Sequence, residues 1–190
     1  METNIRLFVA IEIPEEVKVK AIDIAKKLKR QKLFEGTFVQ HDHLHITVQF
    51  LGPSIENKLL PDICQALRKI KIPSLPVFLT GLGVNNRKNI RVIWINCHSQ
   101  ELTMLSNSIA QSLENIVELK KEYDFTGHIT IARVRSVQDK EELLNYISSL
   151  QIKPVSFEAT EFVLKQSVLT KSGPVYTDIE RYELTANENW

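Results

Sequence analysis

Several short stretches of the chain alternate hydrophobic and polar residues with a period of two, the pattern of half-buried strands. The clearest are RLFVAIEI (residues 6–13), LHITVQFL (44–51) and HITIARVR (128–135), all rich in β-branched residues. Five further stretches predict strands: 37–40, 76–83, 90–97, 154–169 and 174–184. The last two are joined by TKSG, and 76–83 with 90–97 resembles a hairpin.

Between the strands, apolar residues recur at helical spacing. Four helices are predicted: from Pro14 to about residue 32, from a Ser54 cap to about residue 70, over 101–118 after a Ser99 cap, and from a capping-box signal at Ser136 and Asp139 to about residue 150. Pro61 lacks a backbone donor inside the second helix, so we expect that helix to start late or to kink there. Helices mixed with hairpin-like pairs favour an α+β fold with antiparallel sheets over a doubly wound parallel sheet.

The two histidine-containing strands are copies of one pattern. HITV at 45–48 recurs as HITI at 128–131, an offset of 128 − 45 = 83 residues. Each copy is followed by the same order of strand, helix, a lysine-proline stretch and two more strands. Val92 lies 47 residues after His45, and Val175 lies 47 residues after His128. We therefore predict one bilobal domain over residues 1–190, a pseudo-symmetric duplication with two antiparallel sheets flanking a central cleft and helices outside.

Composition limits the classes of function. The 190 residues are 43% hydrophobic, and 24 Lys and Arg against 23 Asp and Glu give a formal charge of +1, so any attraction for nucleic acid must be local. Cys64 and Cys97 form neither a CxxC pattern nor a disulfide framework. No apolar run reaches the roughly 20 residues that cross a membrane. We expect a monomeric, cytoplasmic protein without membrane contact.

Each HxT stretch places an imidazole and a hydroxyl on one face of its strand. His45 and Thr47 point together because alternate residues share a face, and the same holds for His128 and Thr130. If the two lobes face each other, two imidazoles flank one pocket. Such a pair suits a phosphodiester, because one imidazole can take a proton from water while the other gives one to the departing oxygen. The threonine hydroxyls can hold phosphate oxygens.

The paired HxT motifs resemble the 2H phosphoesterase superfamily, and specifically its bacterial and archaeal RNA 2′,3′-cyclic phosphodiesterase branch, also called 2′-5′ RNA ligases. The resemblance runs nearly end to end, through RLFVAIEIPEEV, LHITVQFLG, GLG with RVIWI, HITIARV and SVLTKSGPVYTDI. It implies hydrolysis of 2′,3′-cyclic phosphate ends of RNA, tRNA fragments among them, to 2′-phosphomonoesters. It also implies 2′-5′ joining in reverse, and chemistry without metal or cofactor.

The resemblance also implies a role for each site residue. His45 would be the proton donor to the 3′ oxygen and His128 the proton acceptor that activates water, with Thr47 and Thr130 binding phosphate. Arg133 matches an arginine that lies near the phosphate in the family, although strict alternation points it away from His128. The same alternation places Phe50 in the core, opposite the His45 face.

Two departures from the family pattern stand near these motifs. Gly127 replaces a proline that often precedes the second histidine, and Asn85 and Asn86 replace a Phe-Pro pair after GLG. We expect the first to affect only how the strand is entered and the second to alter the cleft rim. Arg87, Lys88 and Arg91 form a small basic loop that either steers RNA or is simply solvated.

Three alternatives remain open from the residues. His41, His43 and His45 alternate as metal ligands on a strand do, but this leaves the copy at His128 unexplained. A histidine-triad hydrolase fits HDHLHIT superficially, but Asp42 is charged where that motif is typically hydrophobic. From another class, the chain could be a catalytically silent module that binds RNA ends.

Overall fold

The computed structural model describes residues 4–119, 125–171 and 173–186. The chain forms one antiparallel sheet with four helices. The strands are β1 (Asn4–Glu12), β2 (Phe34–Phe38), β3 (His45–Glu56), β4 (Leu75–Val84), β5 (Val92–His98), β6 (His128–Val137), β7 (Val155–Ala159), β8 (Glu161–Thr170) and β9 (Gly173–Glu183). The helices are α1 (Glu15–Gln31), α2 (Leu60–Arg68), α3 (Gln100–Leu113) and α4 (Lys140–Ser149). None of these four helices combines the length and the apolar character needed to cross a membrane.

The sheet consists of two halves that meet at the two HxT strands. Its order is β7-β4-β5-β6-β3-β1-β8-β9, and β2 pairs with a further stretch of β6. Between β3 and β6, both described in full, the register contains one residue pair, Ile46 with Ile129. Each half carries one histidine motif on its innermost strand. The α+β class with antiparallel pairing is confirmed, and the two predicted sheets are continuous through this single pair.

The strands that follow each HxT motif pair with the opposite half of the sheet. After β3 the chain crosses through α2, and β4 and β5 then pair beside β6. After β6 it crosses through α4. Strand β7 then pairs with β4 at the edge of the half that contains β6, whereas β8 pairs with β1 in the half that contains β3, and β9 pairs with β8. Each half therefore contains strands from both copies of the sequence pattern, which ties the halves together covalently.

The core lies on the face of the sheet opposite the histidines. Ile46 and Ile129 at the junction are both fully buried and belong to one apolar cluster. Helix α3 lies against β3 and β4, and its Ser106 hydroxyl donates to the Val48 carbonyl at 3.1 Å. The helices thus cover one face near the junction and leave the histidine face open.

The second helix differs from the prediction at its start. Strand β3 continues to Glu56, past the predicted cap Ser54, and α2 begins only at Leu60 with Pro61 in its first turn. The missing amide hydrogen of Pro61 costs nothing there, because first-turn amides have no intrahelical acceptor. The expected late start is confirmed, whereas the cap at Ser54 was wrong.

Other boundaries are set by caps and by pairing. The Ser99 hydroxyl accepts from the Leu102 amide at 3.4 Å, confirming that cap, but α3 ends at Leu113 rather than at 118. Asp139 alone caps α4 by accepting from the Glu142 amide at 2.9 Å. The predicted strand over 154–169 is two strands, β7 and β8, which pair with different halves of the sheet. In the TKSG turn, Ser172 lies outside the described residues.

Candidate active site

The single residue pair between β3 and β6 determines how the two motifs face each other. Because Ile46 lies opposite Ile129 in an antiparallel register, the residues on either side of that pair also lie opposite each other. His45 thus faces Thr130, and Thr47 faces His128. The two histidines occupy the diagonal, where residues are about 7–8 Å apart in paired strands and their Cβ atoms are somewhat closer. A phosphate group fits between imidazoles at that spacing, with a hydroxyl beside each ring.

Both imidazoles are held in the same tautomer by their own backbone. His45 Nδ1 lies 2.8 Å from the carbonyl oxygen of His43, and His128 Nδ1 lies 2.8 Å from that of Thr126. In both cases the acceptor is two residues earlier. A carbonyl oxygen only accepts, so Nδ1–H is the donor in each ring. Nε2 is then the nitrogen left to exchange a proton in the cleft, and this holds in both halves.

A cavity of about 380 Å³ opens beside this junction. It contains His45, Thr47, Thr130 and Arg133, so four of the five predicted site residues line one space. His128 is not among its lining residues and lies two positions before Thr130 on the same strand face. The remaining lining residues come from 37–40, His43 and the start of β9: Thr37, Phe38, Val39, Gln40, His43, Gly173, Pro174, Val175 and Tyr176.

A bulge in β6 brings Arg133 to the cleft. On β5, Ile93 and Trp94 are consecutive, but their partners on β6 are Ala132 and Thr130, so Ile131 is an extra residue. Ile131 and Ala132 are both buried, at 1% and 0% exposure, and alternation resumes with the opposite phase. Arg133 therefore shares the face of His128 and lines the cavity. Its guanidinium has no carboxylate partner among the described residues.

Strand β3 contains the same bulge, and it corrects the expectation for Phe50. Val9 and Ala10 on β1 pair with Gln49 and Thr47, so Val48 is the extra residue. Phe50 consequently lies on the His45 face, half-buried, as the counterpart of Arg133 at the same offset of 133 − 50 = 83 residues. The assignment of Phe50 to the core was wrong, because simple alternation ignores the bulge.

The His45 ring is packed on two sides by aromatic rings. Phe8 lies 5.1 Å from it between centroids, and Tyr176 meets it edge-on at 5.3 Å. Burial among these rings disfavours the imidazolium and lowers the pKa of His45 to about 4, although the nearby Glu12 carboxylate acts in the opposite direction. His45 is therefore neutral at pH 7.

A cluster of ion pairs lies beside His45 on the neighbouring strands β1, β8 and β9. Glu12 is the register partner of His45 on β1, and its carboxylate binds the Lys165 ammonium at 2.6 Å. Lys165, 7% exposed, also binds Asp178 at 2.5 Å. Burial alone lowers the pKa of Lys165, but the two carboxylates outweigh burial and raise it. The cluster therefore presents His45 with both a negative and a positive neighbour.

Among the described residues, the ring contact and the register partner of His128 are uncharged. Its ring lies 4.6 Å from the Trp94 indole between centroids, tilted by 35°, and the Trp94 Nε1–H donates to Asn96 Oδ1 at 2.7 Å. Asn96 is the register partner of His128 and so occupies the place that Glu12 has beside His45. A Cβ on Gly83 would lie 2.5 Å from the Trp94 nitrogen, so the second glycine of GLG leaves room for the indole.

The three clustered histidines do not point to one centre. His41 and His43 belong to a 3₁₀ turn before β3. Both ring nitrogens of His41 contact carboxylates, Asp42 at Nδ1 and Glu15 at Nε2, each at 2.8 Å, which raise the pKa of His41. His43 lines the cavity and meets Tyr176 edge-on at 5.0 Å. Across the described ranges, no group of three or more His, Cys, Asp or Glu is placed to hold a metal ion.

The departures from the family pattern have structural consequences. A Cβ on Gly127 would lie 2.8 Å from the Cys97 carbonyl oxygen, so the strand entry packs tightly against β5. Asn85 Oδ1 accepts from the amides of Arg91 and Val92, which shapes the β4–β5 loop. The cavities of about 380 and 390 Å³ at the site are lined by residues outside this loop, and its effect on the cleft rim stays a prediction.

Sequence reasoning missed three aromatic residues of the site. Trp94, Phe8 and Tyr176 lie on three strands that are distant in sequence from the histidines they contact. Tyr176 belongs to the GPVY segment at the start of β9, and nothing in its sequence position indicates a contact with His45. The signal available was the alternation in β9, which places Pro174, Tyr176 and Asp178 on one face.

Comparisons with known proteins agree with this geometry. The model of the 2′-5′ RNA ligase superfamily matches residues 14–168. An RNA 2′,3′-cyclic phosphodiesterase of Methanocaldococcus jannaschii is 35% identical, covering 93% of this chain and 99% of that protein. One of Archaeoglobus fulgidus is 32% identical, covering 94% and 99%. The crystal structure of E. coli LigT complexed with 3′-AMP has 26% identity and a TM-score of 0.73, covering 96% and 99%. The chain belongs to the 2′-5′ RNA ligase superfamily.

Proposed function

We propose that this protein hydrolyses RNA 2′,3′-cyclic phosphates to 2′-phosphomonoesters with His45 and His128 as its acid–base pair. The observation that carries the proposal is the junction of β3 and β6. There two imidazoles with free Nε2 atoms lie diagonally across from each other, each beside a threonine hydroxyl. The relatives named above act on the same bond according to their names, and E. coli LigT binds a nucleoside monophosphate.

The reaction follows from this arrangement. The cyclic phosphate lies at the junction with Thr47, Thr130 and Arg133 around its non-bridging oxygens, where donors stabilise the charge of the transition state. Water loses a proton to the neutral Nε2 of one histidine, and its oxygen forms a bond to phosphorus. The bond from phosphorus to O3′ breaks, and the other histidine gives its proton to O3′. With the 5′-hydroxyl of a second RNA in place of water, the same steps join the two RNAs through a 2′-5′ linkage.

The division of labour between the histidines is a proposal taken from the family. It makes His45 the donor to O3′ and His128 the acceptor. Because the pKa of His45 is lowered to about 4 by burial, His45 must acquire its proton together with the substrate. The negative phosphate supplies the reason, since an opposite charge nearby favours the imidazolium. The expectations of a monomer, a cytoplasmic location, a single bilobal domain and a tRNA-fragment substrate stay predictions.

Product analysis tests the proposed function. A short RNA with a 2′,3′-cyclic phosphate is incubated with the protein in EDTA, and the products are separated as 2′-phosphate, 3′-phosphate and 2′-5′ joined RNA. We expect the 2′-phosphate to dominate, and His41→Ala to behave as wild type because His41 lies outside the cavity. Binding of the RNA end without turnover would establish the silent RNA-binding module instead.

A further inference from the structure

A second cavity adjoins the first across the catalytic residues. Its volume is about 390 Å³, and it shares His45, Thr47, Arg133, Pro174 and Tyr176 with the first cavity. Each cavity is of a size that accommodates one nucleotide. A phosphate bound at the shared residues therefore has one open space on either side.

The lining of the second cavity differs in charge from that of the first. Its floor contains Arg6 on β1, whose guanidinium lies 4.5 Å from the ring centroid of Phe50 on β3. Both residues are half-buried, and Arg6 has no carboxylate partner among the described residues. Contact with the Phe50 ring holds the Arg6 guanidinium in place, and its positive charge stays available to bind a phosphate.

The far wall of the second cavity is apolar. Ser167 and Leu169 on β8 line it together with Pro174 on β9. Leu169 is 70% exposed, unusual for leucine, and its strand neighbours Val168 and Val175 are about half exposed. An apolar wall beside a phenyl ring and an unpaired guanidinium offers a nucleotide both a stacking surface and a phosphate contact.

We propose that the second cavity binds the RNA nucleotide immediately 5′ to the one that carries the cyclic phosphate. Arg6 contacts the phosphate that joins the two nucleotides, and Phe50 and Leu169 contact the upstream base. The reacting nucleoside occupies the first cavity, which alone of the two contains Thr130. The inference rests on the proposed function, and it makes the protein selective for RNA ends over free cyclic mononucleotides.

The direction of the RNA supports this assignment. A cyclic phosphate blocks the 3′ end, so the chain can continue from the reacting nucleoside only towards its 5′ side. A free mononucleotide has no internucleotide phosphate and gains nothing from Arg6. The charge of Arg6 is therefore useful only to an oligonucleotide, whereas Arg133 contacts the reacting phosphate of both substrates.

The test compares cytidine 2′,3′-cyclic phosphate with the dinucleotide adenylyl-cytidine 2′,3′-cyclic phosphate. We expect wild type to prefer the dinucleotide by at least about tenfold in kcat/KM, within the range of one stacked base. Arg6→Gln reduces that preference about fivefold or more, and Phe50→Leu weakens it as well. Lys20→Gln, which removes a positive charge from the exposed side of α1, retains the wild-type preference.

Salt dependence gives a second readout for Arg6. In wild type, log kcat/KM for the dinucleotide falls more steeply with log salt than for the mononucleotide, by a slope of about 0.7 for one phosphate of a single strand. Arg6→Gln removes that difference. A merely structural role of Arg6 would change both substrates together and leave the difference in slope intact.

Each outcome decides the proposal. A wild-type preference near one overturns it, and so does an Arg6→Gln variant that loses the same factor on both substrates. If wild type turns over neither substrate, the proposed function fails. The affinity of adenylyl-cytidine 2′-phosphate relative to cytidine 2′-phosphate, measured by calorimetry on wild type and Arg6→Gln, still decides the subsite in that case.

Discussion

The two histidine half-sites share their backbone geometry and differ in their surroundings. Both rings donate from Nδ1 to a carbonyl two residues earlier at 2.8 Å, and both strands contain a bulge after the threonine. Beside His45 stands the charged Glu12–Lys165 pair, whereas beside His128 stand the neutral Asn96 and Trp94. The repeated backbone orients the proton-transfer atoms. Burial among aromatic rings, with Glu12 acting in the opposite direction, lowers the pKa of His45.

Unequal neighbours suit acid–base chemistry with two copies of one group. Two identical imidazoles in identical surroundings would titrate together, and the productive state needs one neutral and one charged ring. Burial already makes His45 neutral at pH 7. The contrast between the half-sites can thus be tested through activity, through the titration of His45 and through stability.

The largest effect is expected from removing either imidazole. His45→Gln and His128→Gln should each lower kcat on a cyclic phosphate by about 10²–10⁴-fold, the range for a general acid or base. The double variant should lose little more, because the two groups act in one step. Single-turnover rates measure this, with His41→Ala as the matched histidine control. Retention of more than a tenth of the wild-type rate in either single variant would remove that histidine from the mechanism.

The ion pair behind His45 should produce an intermediate effect. Lys165 lowers the pKa of His45 and Glu12 raises it, so Lys165→Met should raise the midpoint above about 4, and Glu12→Gln should lower it. Nitrogen-15 NMR of the imidazole measures both shifts in the free protein. Lys165→Met should also cost about 2 kcal/mol of stability, because it leaves the Glu12 carboxylate without its counter-ion, whereas Asp178 keeps Arg181.

A distant ion pair provides the control for this second prediction. Arg68 binds Glu180 at 2.6 Å with 61% of its side chain exposed. Arg68→Met should therefore cost less stability than Lys165→Met and leave the His45 midpoint in place. A wild-type His45 midpoint near 6.5 would contradict the assigned burial.

The contribution of His45 to the free energy of unfolding depends on pH with a definite sign. Since its pKa is lower in the folded state, that contribution is present above about pH 6.5 and is lost as the pH falls towards 4.

The smallest effect on activity is expected in the half-site around His128. A methyl group on Gly83 would displace the Trp94 indole and weaken the support of the His128 ring, so Gly83→Ala should lower kcat about tenfold. Gly52→Ala is the matched control, because its new methyl group meets only the flexible end of Ile55 at 2.8 Å, away from the cavity. Equal loss of kcat in the two variants would show that Trp94 has no particular role in positioning His128.

Much of the fold followed from local pattern. Strands β1, β3, β6 and β9 and helices α1, α3 and α4 were predicted close to their positions, since periodicity and caps depend on neighbouring residues. The failures arose where distant pairing decides. Ser54 has the chemistry of a helix cap, but pairing with β1 extends β3 past it. The stretch 154–169 is continuously strand-like, but its two parts pair with different halves of the sheet.

The candidate site divides in the same way. The pairing of HIT with HIT identified two histidines and two threonines, because a period of two places them together on any strand. Arg133 and Phe50 could not be placed from alternation, because each follows a bulge. A bulge arises when one strand has one more residue than the strand it pairs with, so it depends on the pairing partner. Tyr176 and Trp94 reach the histidines across strands from other parts of the chain.

The sequence by itself determined the fold class, the duplicated motif and the chemistry of an imidazole–hydroxyl pair, since these depend on residue type and local spacing. Tertiary structure alone decided that His45 faces Thr130, that Arg133 enters the cleft and that a charged pair lies beside His45. The physical reason is that register, bulges and burial are properties of contacts between distant segments. The pKa of His45 depends on those contacts rather than on the residues beside it in the chain.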